Sequence, residues 1–194
     1  MPHQETSLRD RKRRAVQDEV TRAAIELFIA NGFDETPVEK IAAAVGMSER
    51  TFFRYFSTKD DVLERLSAHW RTHTTQLLVD RPADEPTWIA IRRALDAFVE
   101  STTTDDFALP LLRLLYTTPH LYGRHMLKMR LWREGFVAAI QQRRPDEAEQ
   151  TVRIQAAVAV ACFESAREAW VACDGERPLA ELLDAAMAEV WPIA

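Results

Sequence analysis

The chain has 194 residues, 47% of them apolar and only five of them glycine, enough for one sizeable core or two small ones and favouring packed helices over sheets. A formal charge of −5 excludes a protein that coats nucleic acid indiscriminately. No apolar run approaches the roughly 20 residues of a membrane span, and MPHQETSLRDRKRR lacks the apolar core of a secretion signal, so no membrane partner and a cytoplasmic location are expected.

A first helix is predicted over residues 11–30, where Val16, Val20, Ala23, Leu27 and Phe28 recur at three- and four-residue spacings and Asn31-Gly32 supplies a stop. The RDRKRR run at 9–14 places positive charge in front of it. Such a segment either follows phosphates and enters a minor groove, or is a solvated helix start. Thr36 reads as the N-cap of a second helix, with Pro37 at its first position and Glu39 completing a capping box. Ile41, Ala42 and Val45 supply its apolar side, and Gly46 sits where a left-handed residue would end it. Ser48 then caps a third helix over 49–56, in which Phe52 and Phe56 face inward together while Arg50, Thr51 and Arg54 point outward. Amide N–H groups at that helix start attract a phosphate. The pattern is that of a helix-turn-helix whose second helix reads double-stranded DNA.

The string GMSERTFFRYFSTKDDVL, preceded by an amphipathic helix and TPVEKIAAAV, resembles the TetR family of bacterial transcriptional regulators. The likeness in motif covers the first third of the chain; the remainder is similar in length and helical character. It implies an all-α protein with a three-helix DNA-binding domain over residues 1–60 and a larger helical effector-binding and dimerisation domain over 61–194. Matched residue by residue, it implies Thr36 and Ser48 against the phosphate backbone and Arg50 and Thr51 over base edges. Tyr55 and Lys59 would each meet a phosphate. Glu49 stands where many relatives carry a basic residue, and Phe53 where many carry tyrosine.

Thr58 and Asp61 make another capping-box-like start, followed by Val62, Leu63, Leu66, Trp70, Leu77 and Leu78 in a long fourth helix that stops at DRPADEP, residues 80–86. A fifth helix is predicted over 88–103, a sixth over 107–116, and a seventh from Thr118-Pro119 to the basic turn Arg143-Arg144. The eighth, over 147–172, is apolar on nearly every side between Ile154 and Phe163, so both its faces need covering, one of them by a second chain. The ninth, over 179–190, carries a stripe of Leu179, Leu182, Leu183, Ala186, Met187 and Val190 closed by Trp191-Pro192. Helices eight and nine of two chains are therefore expected to form a four-helix homodimer interface containing Ala159, Phe163, Trp170, Leu183 and Met187.

Catalysis has no visible apparatus: there is no Glu-x-x-His pair, phosphate-cradling glycine loop or nucleophile elbow, so neither an enzyme nor a cofactor is expected. His69 and His73 lie four apart without a third ligand, which argues against a metal. Cys162 and Cys173 read as structural thiols. Large side chains in the second half, among them Trp70, Phe107, Tyr116, Met129, Trp132 and Phe136, either fill the core or line an apolar pocket; the family resemblance favours a pocket for the group. The reading is a repressor released from a palindromic operator by a small, mainly apolar ligand. The alternative is a helical ligand-binding or protein-interaction module that does not bind DNA.

Overall fold

A computed structural model of the protein describes residues 7–190, and among them the chain is helical throughout, with no strand. Ten helices follow one another: α1 (Leu8–Asn31), α2 (Val38–Ala44), α3 (Glu49–Tyr55), α4 (Asp60–Val79), α5 (Thr87–Ala94), α6 (Asp96–Thr104), α7 (Ala108–Thr117), α8 (Pro119–Arg143), α9 (Glu149–Ala172) and α10 (Leu179–Ala188). The chain divides into two compact units between Leu66 and Ser67, inside α4.

In the first unit α1 starts at Leu8, earlier than the apolar spacing suggests, because the Ser7 hydroxyl accepts the Asp10 amide at 3.2 Å and caps it. The RDRKRR run is thus helical and exposed. Val20, Ala24 and Phe28 of α1, Ile41 and Ala42 of α2 and Phe52 of α3 are buried to within 1% of completely, and the Phe28 and Phe33 rings meet at a 49° tilt with centroids 4.7 Å apart. At the start of α4, Thr58 Oγ1 donates to Asp61 Oδ1 at 2.8 Å, and Asp61 Oδ2 accepts the Ser57 and Thr58 amides at 2.8 and 2.9 Å. Those contacts satisfy donors that a helix N-terminus leaves unpaired.

In the second unit α9 is the central element, packed against α8 on one side and α10 on another. Its Val152, Ala156, Ala159 and Phe163 are fully buried, as are Phe136 and Ile140 of α8 and Leu179, Leu183 and Met187 of α10. The span 88–103, expected as one helix, is two elements hinged at Leu95, which raises the total to ten among the described residues. Leu95 is completely buried, and its amide is shared between the Ile91 and Arg92 carbonyls, both at 3.2 Å, so a tightened step rather than a loop interrupts the helix. Arg92 fixes that step by pairing with Asp96 and with Asp184 of α10. Val190, placed in the apolar stripe by its spacing, is 52% exposed beyond the end of α10, and Trp191-Pro192 lies outside the described residues.

Candidate nucleic-acid interface

The turn between α2 and α3 is built from local chemistry. Gly46 takes φ +66, its amide bonds Ala43 O at 3.1 Å and the Met47 amide bonds Ala42 O at 2.9 Å, the paired closure that a left-handed residue allows. A side chain at position 46 would meet backbone strain in a turn only a few residues long. Ser48 Oγ then accepts the Thr51 amide at 3.3 Å and lies 3.0 Å from Thr51 Oγ1, capping α3. Phe52 and the following Phe56 anchor the inner face, their centroids 5.3 Å apart. With that face fixed, the 3.6-residue repeat turns Ser48, Glu49, Arg50, Phe53 and Arg54 outward, where all are exposed.

Thr51 and Tyr55 are half-buried at the edges of this surface. The Tyr55 ring lies between two guanidinium groups, Arg54 at 5.3 Å and Arg13 at 5.5 Å from its centroid. Arg13 Nη2 also reaches Arg54 O at 3.5 Å, and Gln17 Nε2 donates to Tyr55 O at 3.3 Å, so α1 holds the last carbonyls of α3. Sequence reasoning noticed the positive charge of Arg13 but not this positioning role, nor that of Gln17. Their only sequence signal was membership in the amphipathic first helix.

Two expected phosphate contacts change meaning. Thr36 is not the cap of α2: Pro37 holds that position without a side-chain bond, and Thr36 is completely buried. Its hydroxyl lies 2.7 Å from Gly32 O and 3.3 Å from Leu27 O, so its proton is committed to closing the end of α1. Lys59 directs its ammonium to Phe33 O at 2.6 Å and Thr36 O at 3.1 Å, with the Phe33 ring 4.2 Å away. Two of its three N–H groups therefore hold the loop over residues 33–36, leaving one for a phosphate.

In the second unit, Trp70 and Trp132 each pack edge-on against Phe98, and Trp132 also meets Phe136 and Phe163, in one aromatic cluster with centroids 5.1–5.9 Å apart. Met129 is buried and Phe107 half-buried. Tyr116 stands apart from this cluster, 5.5 Å edge-on from His125. His125 is 2% exposed and its Nε2 lies 2.7 Å from Glu164 Oε1, while Arg167 Nη1 reaches Glu164 Oε2 at 3.4 Å. Burial pushes the Glu164 carboxyl up, but the His125 hydrogen bond and the Arg167 charge outweigh it and the net direction is down. Burial pushes the Tyr116 hydroxyl above its ordinary range. Glu164 and Arg167 escaped the sequence reading; two charges three apart directly after the apolar stretch 154–163 were the available signal.

The five residues expected at a dimer interface need correction. Ala159, Phe163, Leu183 and Met187 are completely buried within one protomer and Trp170 is 7% exposed. Side chains already covered by their own chain have no surface to offer another. The exposed face of α9 instead carries Ile154, Ala161, Ser165, Ala169 and Ala172. Among the described residues no three His, Cys, Asp or Glu side chains gather as a metal site, and no helix is long and apolar enough to cross a membrane.

The sequence and the fold are both similar to those of known proteins. Residues 20–66 match the model of bacterial regulatory proteins of the tetR family, and residues 85–192 match the MftR C-terminal domain. The chain is 32% identical over 150 residues to a putative mycofactocin biosynthesis transcriptional regulator, MftR, of Mycobacterium tuberculosis, covering 74% of this chain and 72% of that one. It is 35% identical over 127 residues to the HTH-type transcriptional regulator TcmR of Streptomyces glaucescens, covering 61% of this chain and just over half, 56%, of TcmR. In fold it is similar to SmeT, the repressor of the Stenotrophomonas maltophilia multidrug efflux pump SmeDEF, with a TM-score of 0.67 at 15% identity over 91% of this chain and 89% of SmeT. The chain belongs to the TetR family of bacterial regulatory proteins.

Proposed function

We propose that two copies of this chain bind a palindromic operator, each inserting α3 into the major groove, and that a small, mainly apolar molecule bound in the second unit releases them. The observation that carries the reading is the outer face of α3. A helix needed only for packing has no use for a capped start followed by exposed Ser48, Arg50 and Arg54 in one row. Arg50 and Thr51 are assigned to base edges, and Ser48, Arg54, Tyr55 and the remaining N–H of Lys59 to phosphates. The exposed RDRKRR turns of α1 add cationic charge beside the C-terminal end of α3, where Arg13 already lies.

Dimerisation is assigned to the exposed face of α9, whose alanines and serine allow a second helix to approach closely, together with the neighbouring face of α10. Two reading heads held one helical turn apart match the two-fold symmetry of a palindrome. The ligand is assigned to the aromatic cluster of Trp70, Trp132 and Phe136 with Phe107, Met129 and Tyr116 around it. A ligand that binds one arrangement of these helices better than another shifts the spacing of the heads, and a tenfold release needs only about 1.4 kcal/mol of differential binding. The decisive experiment is a gel shift of the purified chain on DNA flanking its own gene over a range of salt. Binding that weakens with salt and is stronger on that DNA than on random sequence is expected; equal, salt-independent retention of both would reject the reading.

A further inference from the structure

The end of the second unit, where the loop between α4 and α5 meets the last turn of α8 and the start of α9, forms an open cavity of about 660 Å³. That volume suits a small molecule. What distinguishes the cavity is its supply of uncommitted hydrogen-bond donors. Arg143, only 9% exposed, uses Nη2 alone, for the carbonyls of Pro82 and Glu85, and its Nε and Nη1 are buried without a partner. Arg144 gives Nη2 to Glu85 O at 3.0 Å, and its Nε is likewise buried and unpartnered. So is Nε1 of Trp88, a residue 8% exposed in the first turn of α5, a helix whose start has no side-chain cap.

The nearest carboxylate does not answer these donors. Glu85 is held through both oxygens by Arg81, at 2.6 and 2.8 Å, and again by Arg93. Two adjacent guanidinium groups thus stand without a hydrogen-bonded carboxylate; the Glu85 and Asp84 carboxylates act on Arg143 only through their charge, and burial together with the like charge of Arg144 pushes the Arg143 pKa down. An anion relieves both costs. One acceptor is also free: Gln155 donates its amide to Glu147 Oε1 at 3.0 Å and leaves its own Oε1 buried and unpartnered. Asp146 and Glu147 also lie on the lining and offset part of that positive charge without a carboxylate hydrogen bond to either arginine, which argues against a polyanion.

We propose that this cavity is a binding site for a small molecule bearing an oxyanion with a hydroxyl beside it, the oxyanion held by Arg143, Arg144 and the Trp88 indole and the hydroxyl donating to Gln155. It lies apart from the aromatic cluster assigned to the apolar ligand and does not depend on DNA binding. Carboxylates and singly charged phosphate esters share the required chemistry.

The test uses the full chain without DNA, titrated at constant ionic strength and about pH 5, where phenyl phosphate carries one charge and keeps one P–OH, with mandelate, phenylacetate, phenyl phosphate and benzyl alcohol and followed by calorimetry and thermal melting. Mandelate or phenyl phosphate is expected to bind saturably and raise the melting midpoint, and which of them does so tells carboxylate from phosphate. Phenylacetate, lacking the hydroxyl, is expected to bind about fivefold more weakly than mandelate. Arg144→Gln should weaken the bound anion at least about tenfold. Trp88→Phe, which keeps an aromatic six-membered ring but loses the pyrrole ring with its N–H, should weaken it about fivefold and serves where the first variant fails to fold. No saturable binding of either anion, binding of benzyl alcohol as tight as theirs, or affinity unchanged in both variants overturns the proposal. Because DNA is absent throughout, these outcomes are independent of whether the chain recognises an operator.

Discussion

α3 and α9 are each buried on one side, yet their open sides are opposite in character. α3 presents Arg50, Phe53 and Arg54, long side chains that reach outward from a seven-residue helix anchored by Phe52. Over its second half α9 presents Ala161, Ser165, Ala169 and Ala172, side chains that scarcely leave the backbone of a 24-residue helix, with Glu168 the one long exposed side chain among them. Long cations suit a partner whose charge lies across a hydrated groove, where reach and hydrogen bonding decide affinity. Short side chains suit another helix, where closeness and shape decide it. The inner faces of the two helices do not differ in this way, so their partners are to be read from what packing leaves outside.

The sharpest way to break the comparison is to mutate both faces of α9. Phe163→Ala, inside the protomer, should cost about 3–5 kcal/mol in denaturant unfolding whatever the protein concentration. Ala161→Arg, two residues earlier and outside, should leave the unfolding of a protomer within about 0.5 kcal/mol and dissociate the dimer in sedimentation. Should Phe163→Ala alter only association, the inner and outer assignments are reversed.

The next effect concerns Glu164. Its pKa is lowered in the folded chain, so it contributes stability at pH above the ordinary value of 4.5, and that contribution is lost as pH falls below it. Glu164→Gln should cost up to about 3 kcal/mol at neutral pH, and less in acid. Melting midpoints of the two proteins that converge below pH 4.5 are expected; parallel curves would remove the charge pair from the ledger of the second unit. A smaller effect tests α3: Arg50→Ala should lose about 1–3 kcal/mol of discrimination between operator and random DNA if its contact is bidentate. Unchanged discrimination would leave the outer face of α3 without its reading residue.

The smallest effect separates Thr36 from that face. Thr36→Val keeps the shape and removes the hydroxyl that closes α1, and should cost about 1 kcal/mol of stability in the first unit with no change in the salt slope of DNA binding. A slope reduced by about one phosphate would restore Thr36 to the contact surface.

Much of the fold and part of the candidate site were legible without coordinates. The turn at Gly46, the cap at Ser48 and the pairing of Thr58 with Asp61 each involve groups within five residues of one another, and a stretch that short carries its own geometry. Phe52 and Phe56 were legible for the same reason. Thr36 misled because a threonine before Pro37 reads as a cap, whereas its hydroxyl answers carbonyls at Gly32 and Leu27 across the loop. Leu95 gave no sign of a break, having neither glycine nor proline beside it; Arg92 and Asp184, 92 residues apart, hold the step. Ala159, Phe163 and Trp170 failed because α9 is apolar nearly all round from 154 to 163, so periodicity could not choose its inner side; Leu183 and Met187 failed because the single apolar stripe of α10 is covered by the rest of its own chain.

By itself the sequence determined where most helices start and stop, that a helix-turn-helix stands near the amino terminus, and which side of α3 is polar. Tertiary structure decided which side of α9 stays open, that α1 pins the end of α3 through Arg13 and Gln17, and that Arg143, Arg144 and Trp88 converge on one cavity. Caps and turns are settled by hydrogen bonds within about one helical turn. Facing and convergence depend on segments distant in sequence competing to cover the same apolar surface, and that competition is resolved only once the whole unit has packed.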